Sequence, residues 1–251
     1  MARLRSAVFL VYLVAGTLVT AVVAAPALLF GEKAAREAVR AWARLMLGGL
    51  RLICGIGWRV EGREHVPGGG AIVASNHQSM WETLALFALL PTPAAIFKKE
   101  LLRIPIYGWW GLRAGSIAVD RKGGAKTMRA MTRAAAAKIA EGAQLIVFPE
   151  GTRRPVGARG PLQPGIAGVY LAANAPCVPV VHDSGKYWRH PGWVKFPGVV
   201  TVRFLPPIEP GLDRKAFIRA LESRFDEGLA SLADAAEPDP GAIDAKGHAA
   251  A

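Results

Sequence analysis

Residues 75–83 read SNHQSMWET, and within them a histidine, His77, stands five positions before a carboxylate, Glu82. An imidazole beside a carboxylate is the pairing that general-base chemistry uses: the acid holds one ring nitrogen as a donor and leaves the other to accept a proton. The same letters have a plainer reading. Ser79 to Glu82 is Ser-x-x-Glu, the capping box that closes the first turn of a helix. Five helical residues turn through about 500°, so the two side chains cannot share a face if both are helical. They meet only when His77 stays in the preceding loop, Ser79 caps the helix, and Glu82 reaches back from its first turn. One geometry serves both readings, and the pair alone does not choose between them.

Short apolar runs alternate with helical periodicity through most of the chain. AIVAS (71–75), AAIFKK (94–99), GSIAVD (115–120), AQLIVFP (143–149), CVPVVHD (177–183) and VVTVRFLPPI (199–208) have the length and composition of strands. SMWETLALFALL (79–90), GAKTMRAMTRAAAAKIAEG (124–142) and residues 214–232 read as helices. Strands separated by helices argue for an α/β fold, a mixed, largely parallel sheet flanked by helices. Such sheets gather their chemistry at the carboxyl ends of the strands, and that is where the polar clusters fall. SNHQS follows AIVAS, Lys98 and Lys99 follow AAIF, Arg121 follows SIAVD, and EGTRR, beginning with Glu150, Gly151, Thr152 and Arg153, follows LIVFP.

Composition limits what these clusters can serve. A chain of 251 residues that is 52% hydrophobic can bury a large core and is not disordered. Cys54 and Cys177 are the two cysteines, far apart and near no histidine pair. They indicate neither a disulfide framework nor a metal site, and read as buried reduced thiols. The net charge of +12 calls for a polyanionic partner, nucleic acid or an anionic membrane surface. The N-terminus favours the membrane and no nucleic acid, because residues 7–30, AVFLVYLVAGTLVTAVVAAPALLF, carry no charge. The part before Pro26 spans roughly 30 Å as a helix, the thickness of a hydrocarbon core. It is too long for a signal-peptide apolar region, and Pro26 would follow a cut after Ala25, so an uncleaved membrane-anchoring helical segment is expected.

Downstream, Arg36, Arg40, Arg44 and Arg51 fall in one sector of a helical wheel, opposite Ala38, Trp42, Leu45, Met46, Gly49 and Ile53. Such a helix either lies on anionic headgroups or packs its apolar side on the core. Basic residues are denser after the apolar stretch than before it, which puts the bulk of the chain on the cytoplasmic side of the membrane. The organisation expected is an anchor and basic amphipathic helix over 1–58 and a globular domain over 59–234. Residues 235–251 form a tail too poor in large apolar groups to fold.

The segments NHQSMWE, FKKEL, IAVDR, FPEGTR and CVPVV, in this order, resemble the 1-acylglycerol-3-phosphate acyltransferase family, the PlsC-like glycerolipid acyltransferases, over about residues 60–210. NHQSMWE and FPEGTR carry the more specific part of the likeness. The resemblance implies an acyltransferase domain that moves a fatty acyl group from acyl-CoA or acyl carrier protein to the hydroxyl of lysophosphatidic acid at a membrane surface, with no cofactor beyond that co-substrate. One residue departs from the family pattern: the acid usually five positions after the histidine is Asp, and here it is Glu82.

On this resemblance His77 is the base that takes the hydroxyl proton, and Glu82 fixes its tautomer. No serine sits in a Gly-x-Ser-x-Gly elbow, so attack is direct. The Gly151 amide, Thr152 and Arg153 would hold the acceptor phosphate with Arg121 across the sheet. Glu150 would orient Arg153 or the glycerol hydroxyl. Lys98 would stabilise the oxyanion or the phosphate, with Lys99 a solvated neighbour, and Pro179 would shape the strand beside the acyl site. Trp188 and Trp193 would anchor at the interface or belong to a hairpin on the sheet. His65, His182, His190 and His248 have no acid at a telling spacing and read as structural. The competing readings are acylation of another lyso-lipid, such as a lyso-ornithine lipid, and a non-catalytic protein that holds anionic lipid.

Overall fold

The computed structural model describes residues 1–104, 106–120 and 123–234, so Arg121, His248 and the tail 235–251 lie outside the described residues. Two long helices come first, α1 (Ala2–Val23) and α2 (Gly31–Cys54). Then follow β1 (Ile56–Glu61), β2 (Ala71–Ser75), α3 (Trp81–Leu89), β3 (Pro93–Lys98), α4 (Tyr107–Arg113) and β4 (Ile117–Val119). The chain continues through α5 (Gly124–Ala140), β5 (Gln144–Val147), α6 (Gly165–Ala173), β6 (Cys177–His182), β7 (Gly198–Phe204) and α7 (Arg214–Asp234).

The strands form one sheet in the order β1-β7-β6-β2-β5-β3-β4, parallel throughout except between β6 and β7. Because β2 to β6 all run one way, their carboxyl ends meet along a single edge. Every residue of β2 and of β6 is buried, which is why these strands read as unbroken apolar runs and not as alternating ones. Alternation survives in where the side chains go. Val73 packs with Met46, Leu47, Leu50 and Trp81 of α2 and α3, while Ile72 and Ala74 pack with Ile139, Tyr170 and Phe217 of α5, α6 and α7. The result is the expected mixed, largely parallel sheet with helices on both faces. Cys54 and Cys177 are both free and buried.

Three elements lie outside the expected set. β1 alternates Ile56, Trp58 and Val60 with Gly57, Arg59 and Glu61, and is held at the sheet edge by parallel pairing with β7 and an ion pair from Glu61 to Arg203 at 2.6 Å. It is a single strand that crosses the expected division at residues 58 and 59, so the sheet takes in residues from Ile56 onward. The other two, α4 and α6, are short and each carries two glycines, which depresses helix propensity. In α4, Gly108 sits so close to the backbone of Leu102 that a Cβ would collide with it.

The two N-terminal helices pack along one another. The Trp42 indole donates to Thr17 Oγ1 at 3.0 Å, and the Tyr12 hydroxyl donates to the Leu45 carbonyl at 2.9 Å. Further toward the N-terminus, Phe9 is fully buried edge-on against Trp188 at 5.9 Å, and the Lys195 amide donates to Ser6 Oγ at 2.8 Å. The segment around Trp188 and Lys195 is thus a support for α1, while Trp193 stays half exposed. For α2, the protein core takes most of the apolar side: Met46, Leu47 and Leu50 are buried, whereas Leu45 and Leu52 face outward. With Leu4, Val11, Leu18 and Val22 of α1 and with Leu29 and Phe30, these leave a large apolar exterior. Among the described residues α1 is the one helix long and apolar enough to cross a membrane.

Candidate active site

The backbone leaves β2 at Ser75, stays non-helical through His77 and enters α3 at Trp81. Ser79 Oγ accepts the Trp81 amide at 3.0 Å and Glu82 Oε1 accepts the Ser79 amide at 2.8 Å, a reciprocal exchange like that of a capping box but set one residue before the helix's N-cap, which is Met80 and not Ser79. The same turn brings His77 Nδ1 to Glu82 Oε1 at 2.7 Å. The additional methylene of glutamate is therefore absorbed, and the pair closes.

Glu82 is fully buried and both its oxygens are saturated. Oε1 accepts from His77 Nδ1, the Gln78 amide and the Ser79 amide, and Oε2 accepts from the hydroxyls of Ser79 at 2.7 Å and Ser184 at 2.8 Å. Burial alone would push this carboxyl up; the His182 imidazole, the bond and charge of His77 and the Ser79 bonds outweigh it, and hold the group far below the ordinary carboxylate range. A permanent anion at Nδ1 makes that nitrogen the donor, which leaves Nε2 with its lone pair.

The loop after β5 fixes His77 from the other side. Its amide donates to Glu150 Oε1 at 3.1 Å, its carbonyl accepts the Arg154 amide at 2.7 Å, and its ring stacks on Phe148 at 4.2 Å between centroids. The imidazole keeps 15% of its side-chain surface exposed, enough for one edge to be reached. The end of β6 closes the arrangement. Asn76 exchanges hydrogen bonds with the backbone of His182 at 2.9 and 3.0 Å, His182 Nε2 lies 2.8 Å from the Asn76 carbonyl, and Gln78 Oε1 accepts the Gly185 amide at 3.0 Å. Thus β6, β2 and β5, neighbours in the sheet, each deliver part of one network.

Several expectations are corrected by these contacts. Among the described residues Glu150 makes no hydrogen bond to Arg153: its buried carboxylate turns inward, where it accepts the amides of His77 and of Gly160 at 3.1 Å. Arg153 is instead aimed by the Ser79 carbonyl, which accepts from its Nε at 2.9 Å. The Gly151 amide donates to the Phe148 carbonyl at 3.0 Å, closing a tight turn that its φ of 71° permits, so it is spent as an anion donor. Thr152 is exposed beside it.

Lys98 is exposed at the end of β3 and, among the described residues, makes no hydrogen bond or ion pair, so the structure does not bring it onto His77. Pro179 lies on the interior strand β6. Cys177 faces Ile208 but Val180 faces Phe204, so a bulge stands opposite Pro179 and its missing N–H breaks no ladder bond. His182 belongs to the network behind Glu82 and is more than a remote core histidine. Ser184 was signalled only by its place just past a strand's carboxyl end, since its partner Glu82 lies 102 residues away.

Beside this network an apolar cavity runs between α1, α2, α3 and α4, lined by Thr17, Trp42, Met80, Phe87, Tyr107 and Trp110. Met80 belongs to the same turn as Glu82, although neither His77 nor Glu82 itself lines the cavity. Neither Pro179 nor Lys98 lines it.

Residues 57–183 match the family model described as Acyltransferase. The chain is 34% identical over 167 residues to a 1-acyl-sn-glycerol-3-phosphate acyltransferase of Pseudomonas aeruginosa, covering 66% of this chain and 65% of that protein. It is 33% identical over 168 residues to the human 1-acyl-sn-glycerol-3-phosphate acyltransferase alpha, covering 66% of this chain and 59% of that one. The aligned part thus spans less than two thirds of these relatives' own length. In fold it is similar to the crystal structure of the 1-acyl-sn-glycerophosphate (LPA) acyltransferase PlsC from Thermotoga maritima, with a TM-score of 0.78 at 23% identity, over 95% of this chain and 100% of that one.

Proposed function

The chain belongs to the acyltransferase family, and on that footing we propose that it transfers a fatty acyl group from acyl-CoA or acyl carrier protein to the sn-2 hydroxyl of lysophosphatidic acid, giving phosphatidic acid. The names of the relatives support this acceptor. The observation that carries the reading is the His77–Glu82 pair at 2.7 Å with its carboxylate locked as an anion, since a protein that only held headgroups would need no base.

An alcohol is a poor nucleophile until its proton is drawn away as it attacks. His77 Nε2 takes that proton while the hydroxyl oxygen bonds to the thioester carbonyl carbon. Glu82 stabilises the imidazolium that forms without itself taking the proton. The tetrahedral oxyanion then collapses, the carbon–sulfur bond breaks, and the thiolate recovers the proton from His77. Direct attack leaves no acyl-enzyme. Arg153, held by the Ser79 carbonyl, and Thr152 meet the acceptor phosphate, with Arg121 as a further cation; Lys98 is an exposed cation for the oxyanion or the same phosphate. The acyl chain takes the apolar cavity at Met80 and Trp110, in preference to the surroundings of Pro179. The apolar exterior of α1 and α2 keeps this chemistry at the membrane, on its cytoplasmic side.

The test is turnover by the purified full chain, supplied with lysophosphatidic acid and a panel of acyl-CoA and acyl carrier protein donors, read as phosphatidic acid formed. Acylation of a lyso-ornithine lipid but not of lysophosphatidic acid would replace the acceptor. No transfer to any lyso-lipid would remove the enzymatic reading.

A further inference from the structure

A second cleft opens beside Gln78, the residue after His77, between the segments 154–156 and 185–197, with a volume of about 800 Å³. Among the described residues its charged lining is of one sign: Arg154, Lys186 and Arg189 face it beside the His190 ring, and no carboxylate does. Two acids behind it offset part of this charge, Asp183 at 3.1 Å from Lys186 and Glu150 at 3.9 Å from Arg154. Nε of Arg154 is buried and has no hydrogen-bond partner among the described residues, and the Arg189 guanidinium lies over the exposed ring of Phe196 at 5.7 Å.

The cleft is joined to the catalytic pair at both of its walls. On one wall, the Arg154 amide is bonded to the His77 carbonyl at 2.7 Å. On the other, the Gly185 amide donates to Oε1 of Gln78, the residue after His77, at 3.0 Å.

The two substrates make different demands on such a space. On lysophosphatidic acid, phosphate and hydroxyl stand on adjacent carbons, so with the hydroxyl at His77 the phosphate stays near Arg153. A thioester donor is built the other way: its carbonyl reacts at one end of a long pantetheine arm, and its phosphates lie at the far end. A cleft of several hundred cubic ångströms lined by cations suits an arm with distant phosphates and is far larger than one headgroup phosphate requires. We propose that this cleft receives the phosphate-bearing pantetheine head of the acyl donor, with Arg154, Lys186, Arg189 and His190 meeting its phosphates. The proposal rests on the thioester reading above. It places the donor across the site, its chain in the apolar cavity and its head in the basic cleft, with the reacting carbonyl between them at His77.

The phosphate could come from coenzyme A, with its additional nucleotide phosphates, or from a prosthetic arm on a carrier protein. The experiment uses full-length protein in detergent, wild type and the double variant Lys186→Glu, Arg189→Glu, with Arg189→Gln as the milder change. Titration calorimetry with coenzyme A reads binding directly, and steady-state kinetics read KM for acyl-CoA, acyl carrier protein and lysophosphatidic acid separately. The expected result is coenzyme A binding weakened by about tenfold or more and a matching rise in KM for acyl-CoA. KM for lysophosphatidic acid stays unchanged. A parallel rise for acyl carrier protein assigns the shared pantetheine phosphate, and no rise there assigns the nucleotide phosphates; both uphold the cleft. Unchanged coenzyme A binding, or a rise confined to KM for lysophosphatidic acid, overturns it. Failure of the functional reading is distinct, because it appears as absent turnover in the wild type.

Discussion

At the scale of single residues the site is organised around Glu82, whose oxygens are both saturated by donors. Replacing the base, His77→Ala, should lower the rate by at least about a hundredfold while lysophosphatidic acid still binds, measured by turnover and by calorimetry. Glu82→Gln keeps the capping geometry but removes the anion that fixes the His77 tautomer. The rate should then fall by about tenfold or more, roughly 1.4 kcal/mol in the barrier. Stability gives a separate reading with a definite sign. Glu82 is depressed in the folded protein, so its contribution is present above the ordinary carboxylate range and is lost as the pH falls below it. Melting curves of wild type and Glu82→Gln should therefore lie apart at neutral pH and converge in acid. The His77–Glu82 pair was legible because capping chemistry confines both residues to one turn. The inward turn of Glu150 was not, since a motif names a residue without fixing which way its side chain points.

At the scale of elements, three loops at neighbouring strand ends are tied by buried carboxylates and amides, and Glu150 is the tie between the β2 and β5 ends. Both of its oxygens accept backbone amides, so Glu150→Gln sets an amide group against an N–H and should cost about 1–3 kcal/mol of stability. The rate should fall with it, because His77 loses one of its two backbone anchors, the other being its carbonyl bond to the Arg154 amide. Arg153→Ala should behave differently, raising KM for lysophosphatidic acid with little change in the melting temperature. Steady-state kinetics and thermal denaturation on the two variants separate an anchor from an anion holder. Strands β2 and β6 were legible as elements because burial on both faces makes them continuous apolar runs. β1 was overlooked for the opposite reason: Ile56, Trp58 and Val60 alternate with Gly57, Arg59 and Glu61, the pattern of a half-buried strand and not of a continuous apolar run. The glycines of α4 and α6 masked those helices for a related reason: close packing asks for small residues where propensity asks for others.

At the scale of the whole molecule, the uncharged N-terminal run announced a long apolar helix, but nothing in its composition said where that helix would lie. Protein made with this segment should sediment with membranes and resist extraction by high salt, which strips only electrostatically held proteins. Release by salt alone would count against the anchor. The position of α1 carries a further consequence. It is fastened along the catalytic part of the chain through Phe9 on Trp188 and Ser6 on Lys195, and so the site cannot swing free of whatever surface holds the helix. On the proposed function, an enzyme fixed in this way would search for its acceptor in two dimensions. In mixed vesicles, diluting lysophosphatidic acid with inert lipid at constant bulk amount should slow the reaction, because the quantity the protein senses is the crowding of acceptor within the plane of the surface.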